Sequence, residues 1–223
     1  MNRIEEYFDE MAGRFDDYYA DRNAGLIGRL AHDCLREPGM KRRFHATLAL
    51  LGDVSGKSIL DAGCGTGVYT IYLTRIGAKV SAIDFSGKML QRTRENARAA
   101  GLEPTGIIQG DFMEYDFGQE FDHVLAIGVF DYVSPDWRTA CMKRLAALAK
   151  HSVIATFPKL LTPQAPLRKL WFLGKKARLY FYTAPQVHRL AVGEGMACKF
   201  VNCGPIWTVE FSHGQRDAPD KEG

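Results

Sequence analysis

The sequence predicts an α/β protein, doubly wound around a mostly parallel seven-stranded sheet behind an N-terminal helical cap. Three observations predict it. Ser58-Ile59-Leu60 and Val80–Ile83 are short apolar runs, each closed by an acid, Asp61 and Asp84. Between them stand Gly63, Gly65 and Gly67, and then Val68, Ile71 and Tyr72 at the i, i+3, i+4 spacing of one helix face. Strand, tight turn, helix, strand is a βαβ unit. Apolar runs and helical stripes then keep alternating, until two final runs flank Gly204-Pro205 as a hairpin.

Ahead of the first strand, Ile4, Tyr7, Phe8, Met11, Phe15, Tyr18 and Tyr19 form a helical stripe. Residues 22–36 and 40–52 read as two further helices separated by Pro38-Gly39, so residues 1–55 form the cap. The sheet domain spans 56–211. Ser86 is placed to N-cap a helix running to Ala100, with Met89, Leu90, Thr93 and Ala97 facing inward and Gly101 stopping it. Thr105–Gln109 and Phe121–Gly128 are the third and fourth strands. Ser134-Pro135 starts a helix lined by Trp137, Cys141, Leu145 and Leu148. Ser152–Phe157, Phe200–Cys203 and Ile206–Phe211 complete the sheet, and residues 212–223 are a polar, flexible tail.

Composition excludes several classes. With 223 residues, 46% of them apolar, the chain can build a full core, and a net charge of +3 gives no global nucleic-acid signal. The five cysteines, at 34, 64, 141, 198 and 203, contain no C-x-x-C pair, so neither a metal site nor a disulfide framework is expected. Residues 1–11 lack the apolar core of a signal peptide and no long apolar run follows, so a cytoplasmic protein is expected.

The glycine turn carries the chemistry. Dinucleotide dehydrogenases use G-x-G-x-x-G, whereas Val68 follows Gly67 and the segment reads D-x-G-x-G-x-G. An acid there repels a pyrophosphate and suits a ligand bearing an ammonium group. Glycine permits positive φ and lets a ligand approach main-chain N–H groups, at the positive end of the next helix. Asp84, at the tip of the neighbouring strand, can accept two hydrogen bonds from a ribose diol.

Ile59 to Gly67, ILDAGCGTG, resembles the first motif of the class I S-adenosylmethionine-dependent methyltransferases. The resemblance spans roughly residues 4–157 and implies the Rossmann-like methyltransferase fold, with S-adenosylmethionine as cofactor. It further implies a cofactor site of Asp61, Gly63, Cys64, Gly65, Thr66, Gly67, Asp84, Phe85, Met89, Asp111, Phe112, Ile127 and Gly128. In that family Asp111 takes the adenine amine and the Phe112 N–H a ring nitrogen; an Asp after a strand is also a common turn residue.

Gly128 to Tyr132 follows strand four, where ligands of open α/β sheets bind. The acid, prolines and aromatic of enzymes that methylate nucleic-acid amines are not there, so the expected acceptor is a small molecule, anionic or aromatic. The chain is loosely similar to the branch containing the magnesium-protoporphyrin O-methyltransferases. Where that branch often has a histidine, this chain has Asp131-Tyr132, which become the catalytic candidates. His123 falls at the opposite end of its strand and reads as structural. Tyr18, Tyr19, His45, Phe130, Arg168 and Trp171 are candidates for the acceptor pocket.

Between Lys159 and Gly193 stand Lys159, Arg168, Lys169, Lys175, Lys176, Arg178 and Arg189 with no acid, interleaved with Trp171, Phe172, Tyr180, Phe181 and Tyr182. Three readings stay open for this segment, placed near 159–183: a solvated basic face, a substrate lid, or a peripheral contact with an anionic membrane. Two alternatives to a transferase also stay open, a cofactor-binding regulatory or partner protein and a nicotinamide-dependent oxidoreductase. The missing third dehydrogenase glycine argues against the latter.

Overall fold

The computed structural model describes residues 37–162 and 178–214. In chain order the elements are α1 (Glu37–Leu51), β1 (Ser58–Ala62), α2 (Val68–Arg75), β2 (Lys79–Asp84), α3 (Gly87–Ala99), β3 (Gly106–Gln109) and β4 (Phe121–Ala126). A 3₁₀ turn (Pro135–Trp137) then leads to α4 (Arg138–Leu148), β5 (Ala149–Pro158), α5 (Ala184–Gly193), β6 (Met196–Asn202) and β7 (Ile206–His213). The seven strands lie in the order β3-β2-β1-β4-β5-β7-β6. Only β7 is antiparallel to its neighbours, β5 and β6. The winding reverses between β1 and β4, and the crevice at their carboxyl ends is where such sheets hold ligands.

The central strands are apolar on both faces because helices cover both. Ile59, Leu60, Val80, Val124, Leu125, Val153 and Ile154 have no exposed surface. On one face Leu51, Val54, Tyr69 and Leu73 pack with Ile59, Val80, Leu125 and Ile154. On the other, Cys141, Met142 and Leu145 of α4 and Val187 and Leu190 of α5 pack on Leu60, Val124 and Val153. Ser86 caps α3 by accepting the Met89 N–H at 3.3 Å. Thr183 and Gln186 form a reciprocal capping box at α5.

Several boundaries differ from expectation for local reasons. Pro38-Gly39 does not separate two helices, because α1 begins at Glu37 and holds the proline in its first turn, where the missing N–H costs nothing. β4 ends at Ala126 rather than Gly128, since Gly128 turns left-handed at φ 82 and gives its N–H to Thr156 Oγ1 at 2.8 Å. Ser212 and His213, expected in the tail, extend β7 and pair with Ala197 and Met196. Residues 215–223 lie outside the described residues.

The basic segment is also corrected at its ends. Lys159 is buried, with its amine on Asn202 Oδ1 and 5.1 Å from the Trp207 ring centroid, so this cation is not on a solvated face. Phe181 and Tyr182 are buried too, and a parallel bridge joins Lys159 to Tyr182. Arg178 and Arg189 are exposed. Arg168, Lys169, Trp171, Lys175 and Lys176 lie outside the described residues. Among the described residues no helix is long and apolar enough to cross a membrane.

At the amino end of the sheet, Asp122 Oδ2 accepts the Ser58 N–H at 2.7 Å and the Ser58 hydroxyl at 2.9 Å, while Ser58 Oγ accepts the Asp122 N–H at 3.0 Å. Burial pushes the Asp122 carboxyl up, but the two Ser58 donors, with Lys150 and His151, outweigh it and hold it below its ordinary value. A depressed acid stabilises the fold above the ordinary carboxylate range and loses that contribution as pH falls through its folded value. Ser58→Ala is therefore expected to cost about 1–2 kcal/mol at pH 7. Scanning calorimetry at pH 7 checks it, and an unchanged Tm would remove the stitch from the account.

Candidate functional site

The glycine loop sits where β1 ends, and its conformation is fixed largely by bonds to the end of β2. Gly63, Gly65 and Gly67 have φ of 71, 55 and 81. A Cβ on Gly63 would stand 2.8 Å from Val129 Cγ2, and one on Gly67 2.6 Å from Thr93 Cγ2. A Cβ on Gly65 would meet nothing within 4 Å. The N–H groups of Gly63 and Cys64 go to Ile83 O at 2.8 and 3.1 Å, that of Gly65 to Asp84 Oδ2 at 2.9 Å, and that of Gly67 to Cys64 O at 3.0 Å. This corrects the expectation that these four N–H groups greet a ligand: three are taken by the end of β2 and one by the loop itself. What remains is bare glycine surface above two buried acids, which suits a cation better than a phosphate.

Helix α3 holds the loop through two residues the sequence reading did not assign to the site. Thr93 Oγ1 donates to Gly65 O at 2.7 Å, and Asn96 Nδ2 to Thr66 O at 3.1 Å. They lie three residues apart on one helix face. The available signal was Thr93 itself, a hydroxyl in an otherwise apolar stripe.

Beneath the loop lie two acids. Asp61 is 2% exposed, and its Oδ2 accepts the Thr70 hydroxyl at 2.6 Å and the Thr70 N–H at 3.1 Å. Burial pushes its carboxyl up to about 6; Thr70 opposes this, Asp84 adds to it, and among the described residues no cation acts on it. Asp84 is buried at the end of β2, with Oδ1 accepting the Ser86 N–H at 2.9 Å. Burial, then Asp61 and Asp84, push the Cys64 thiol well above its ordinary value, so it stays a thiol and is no nucleophile. Thr66 is buried in the loop beside them.

Phe85 is half-buried just after Asp84, while Met89 is fully buried in the first turn of α3. Asp111 performs the turn role, its Oδ1 accepting the Met113 N–H at 2.9 Å. Phe112 is half-buried, and its carbonyl accepts Arg144 Nε at 3.2 Å. Ile127 and Gly128 are half-buried between the crevice and the core.

Phe130 is not a pocket wall. It is fully buried, with its ring centroid 4.6 Å from that of Phe157. Asp131 is 9% exposed and Tyr132 half-buried. His45 is exposed on α1 beside Phe44. His123 sits near the opposite end of the sheet, paired with Ile59 and with Nδ1 2.9 Å from Ser152 Oγ. Burial lowers its pKa. Tyr18, Tyr19, Arg168 and Trp171 lie outside the described residues. Among the described residues no group of three histidines, cysteines or acids could hold a metal.

The adjacent strand ends thus bring together a glycine loop, two buried acids and the turn after β4, an arrangement shaped for a cationic ligand. The methyltransferase-domain family matches residues 59–152. The chain is 30% identical over 180 residues to a magnesium-protoporphyrin O-methyltransferase of Rhodobacter capsulatus, covering 78% of this chain and 75% of that protein. The chain belongs to the class I S-adenosylmethionine-dependent methyltransferases. It is also 32% identical over 175 residues to a demethylmenaquinone methyltransferase of Thermobifida fusca, covering 77% of this chain and 67% of that one. A crystal structure of magnesium protoporphyrin IX methyltransferase from Synechocystis with bound SAH superposes with a TM-score of 0.76 at 20% identity, over 95% of this chain and 98% of that one. At that identity the likeness is one of fold.

The methyltransferase transfers methyl from S-adenosylmethionine to a small molecule, and its own residues fit that cofactor. A buried acid without a cation acting on it is what an incoming ammonium group would neutralise. The open space before Gly65 is where a side chain would obstruct a ligand.

A raised acid has a stability consequence. Asp61 contributes its full share of stability below the ordinary carboxylate range, and that share is lost as pH rises through about 6. The ionised form costs on the order of 3 kcal/mol, from a shift of roughly two pKa units. Asp61→Asn should therefore leave the free methyltransferase as stable as wild type at pH 8, or more so, while weakening S-adenosylmethionine at least about tenfold. Thermal melts and calorimetry check both halves. A variant that loses several degrees yet binds normally would contradict the reading.

Proposed function

We propose that the chain methylates an oxygen of a planar, anionic acceptor, with a carboxylate as the preferred target. The observation that carries this is the turn after β4. In this reading the turn brings Asp131 and Tyr132 to the crevice, and the strand histidine, His123, lies towards the other end of β4. A carboxylate is already ionised near pH 7 and needs no base. The relative from Rhodobacter capsulatus, by its name, methylates magnesium protoporphyrin on oxygen. That compound is the first acceptor to test, and the basic composition of residues 159–178 is consistent with an anionic one.

In this reading Asp84 holds the ribose diol, and Asp61 with the glycine loop favours the methionine ammonium group. Asp111 and Phe112 face the adenine, and Ile127 and Gly128 border the transferring group. Residues 1–55, with Tyr18, Tyr19 and His45, and the segment near 159–183, with Arg168 and Trp171, cover the acceptor.

When bound, S-adenosylmethionine supplies a methyl group on a sulfonium, already electrophilic. The chain's work is then alignment and exclusion of water, and alignment alone can supply an effective molarity of about 10⁵–10⁸ M. A phenol or quinol acceptor is the second reading, favoured by the demethylmenaquinone relative. It would require Asp131 as base, or Tyr132.

Two measurements test the proposal. Asp84→Ala should weaken S-adenosylmethionine by about two orders of magnitude, since each charge-assisted bond contributes roughly 1.5–3 kcal/mol. Unchanged affinity by calorimetry would remove the ribose assignment. With a carboxylate acceptor, Asp131→Asn should keep nearly the wild-type rate from pH 6 to 9. A loss of about 10²-fold in kcat with cofactor affinity intact would instead make Asp131 a base and favour the phenol reading.

A further inference from the structure

Tyr182 is, among the described residues, the largest side chain with no exposed surface, and the transfer chemistry does not use it. Its hydroxyl donates to Phe130 O at 2.9 Å and reaches Val133 O at 3.4 Å. Those carbonyls flank Asp131 and Tyr132 on either side. From the same segment, the Tyr180 N–H donates to Asp131 O at 2.8 Å. One stretch of chain therefore grips the turn after β4 at its start, middle and end.

Tyr182 is itself held from three directions. Its N–H donates to Pro158 O at 2.8 Å, and its carbonyl accepts the Leu160 N–H at 2.9 Å. Its ring meets Phe157 edge-on at 5.1 Å and Phe130 at 6.3 Å. Above it lies Arg138, the first residue of α4, with Cζ 4.0 Å from the Tyr182 ring centroid and 5.8 Å from that of Tyr180. Arg138 Nε is buried without a hydrogen-bond partner, and the guanidinium acts both on the Tyr182 ring and on its hydroxyl.

The grip matters because the turn has a joint at its start. Gly128 lies at φ 82 and gives its N–H to Thr156, the Tyr132 N–H goes to Val129 O, and the Tyr180 and Tyr182 contacts hold the same turn from outside. The Tyr182 hydroxyl ties the two ends of this turn, the Phe130 and Val133 carbonyls, to one buried ring. Burial pushes the Tyr182 phenol well above its ordinary value, so it stays protonated and remains a donor throughout the working range.

We propose that Tyr182, braced by Arg138, is a positioning residue that fixes the turn carrying Asp131 and Tyr132, and so sets how the acceptor meets the transferring methyl group. The proposal rests on the reading that this turn borders the acceptor. Its first readout, however, needs no acceptor.

The test is Tyr182→Phe in the full chain, which removes one oxygen and keeps the ring. Amide hydrogen exchange in peptides covering 128–133 should accelerate by about tenfold or more, while the 61–67 loop exchanges as in wild type and S-adenosylmethionine affinity stays within about twofold. With magnesium protoporphyrin IX as the acceptor probe, kcat should fall about tenfold with KM for S-adenosylmethionine unchanged. Unchanged exchange in 128–133 of the folded variant overturns the proposal, and so does acceleration shared equally by 61–67. Should the probe not be methylated even by wild type, the acceptor assignment fails while the exchange result still decides the role of Tyr182. If Tyr182→Phe does not fold, Arg138→Met replaces it. Faster exchange confined to 128–133 and 180–182 supports the brace, and a wild-type pattern contradicts it.

Discussion

Two carboxylates buried at neighbouring strand ends, Asp61 and Asp84, are the constraint around which this fold is arranged. Each strand buries its apolar run between helices and then delivers its terminal acid to the crevice. Desolvation penalises both charges, and Asp84 makes the charge on Asp61 harder still to hold. The loop above them uses its N–H groups to support Asp84 and its own curvature, and α3 secures its carbonyl side through Thr93 and Asn96. A site of this kind costs stability in the free protein and recovers it with a cation, the trade expected where local rules are broken for function.

The other half of the crevice is organised by aromatic packing. Phe130, Phe157 and Tyr182 form a buried cluster beneath the turn after β4, and the main chain at 158–160 and 180–182 closes on itself beside it. The cofactor side is thus held by polar bonds to a short glycine loop, and the acceptor side by rings and backbone pairing. That division matches what each side must do. Every member of the family meets the same cofactor, whereas the acceptor differs, and a ring-packed turn can be re-aimed by changing a few side chains.

Much of this was legible in the sequence, for physical reasons that can be named. The βαβ unit, the acids at the strand ends and the glycine turn are local patterns, and they fell where period and spacing placed them. Helix α3 was bounded by Ser86 and Gly101 as capping rules require. Less legible were features decided by contacts distant in sequence. Composition marked Lys159 and Tyr182 as part of a basic, aromatic segment, but their burial depends on Asn202, Trp207 and the ring of Phe157. Glycine spacing announced a loop without telling where its N–H groups would go; Ile83 and Asp84, from the neighbouring strand, take three of them. Phe130 looked like a pocket aromatic by position, and only the sheet geometry turns it inward.

The central claim is that Asp61, strained by burial, is what the cofactor's ammonium group answers. The most direct measurement is the proton balance of S-adenosylmethionine binding near pH 6, obtained by titration calorimetry in buffers of different ionisation enthalpy. If Asp61 titrates at about 6 in the free protein and must be ionised in the complex, binding should release roughly half a proton at that pH and close to none at about pH 7, still below the range of about 7.7–8 where an α-amino group loses its proton. Proton release that does not vary between the two pH values, or that persists in Asp61→Asn, would contradict the account.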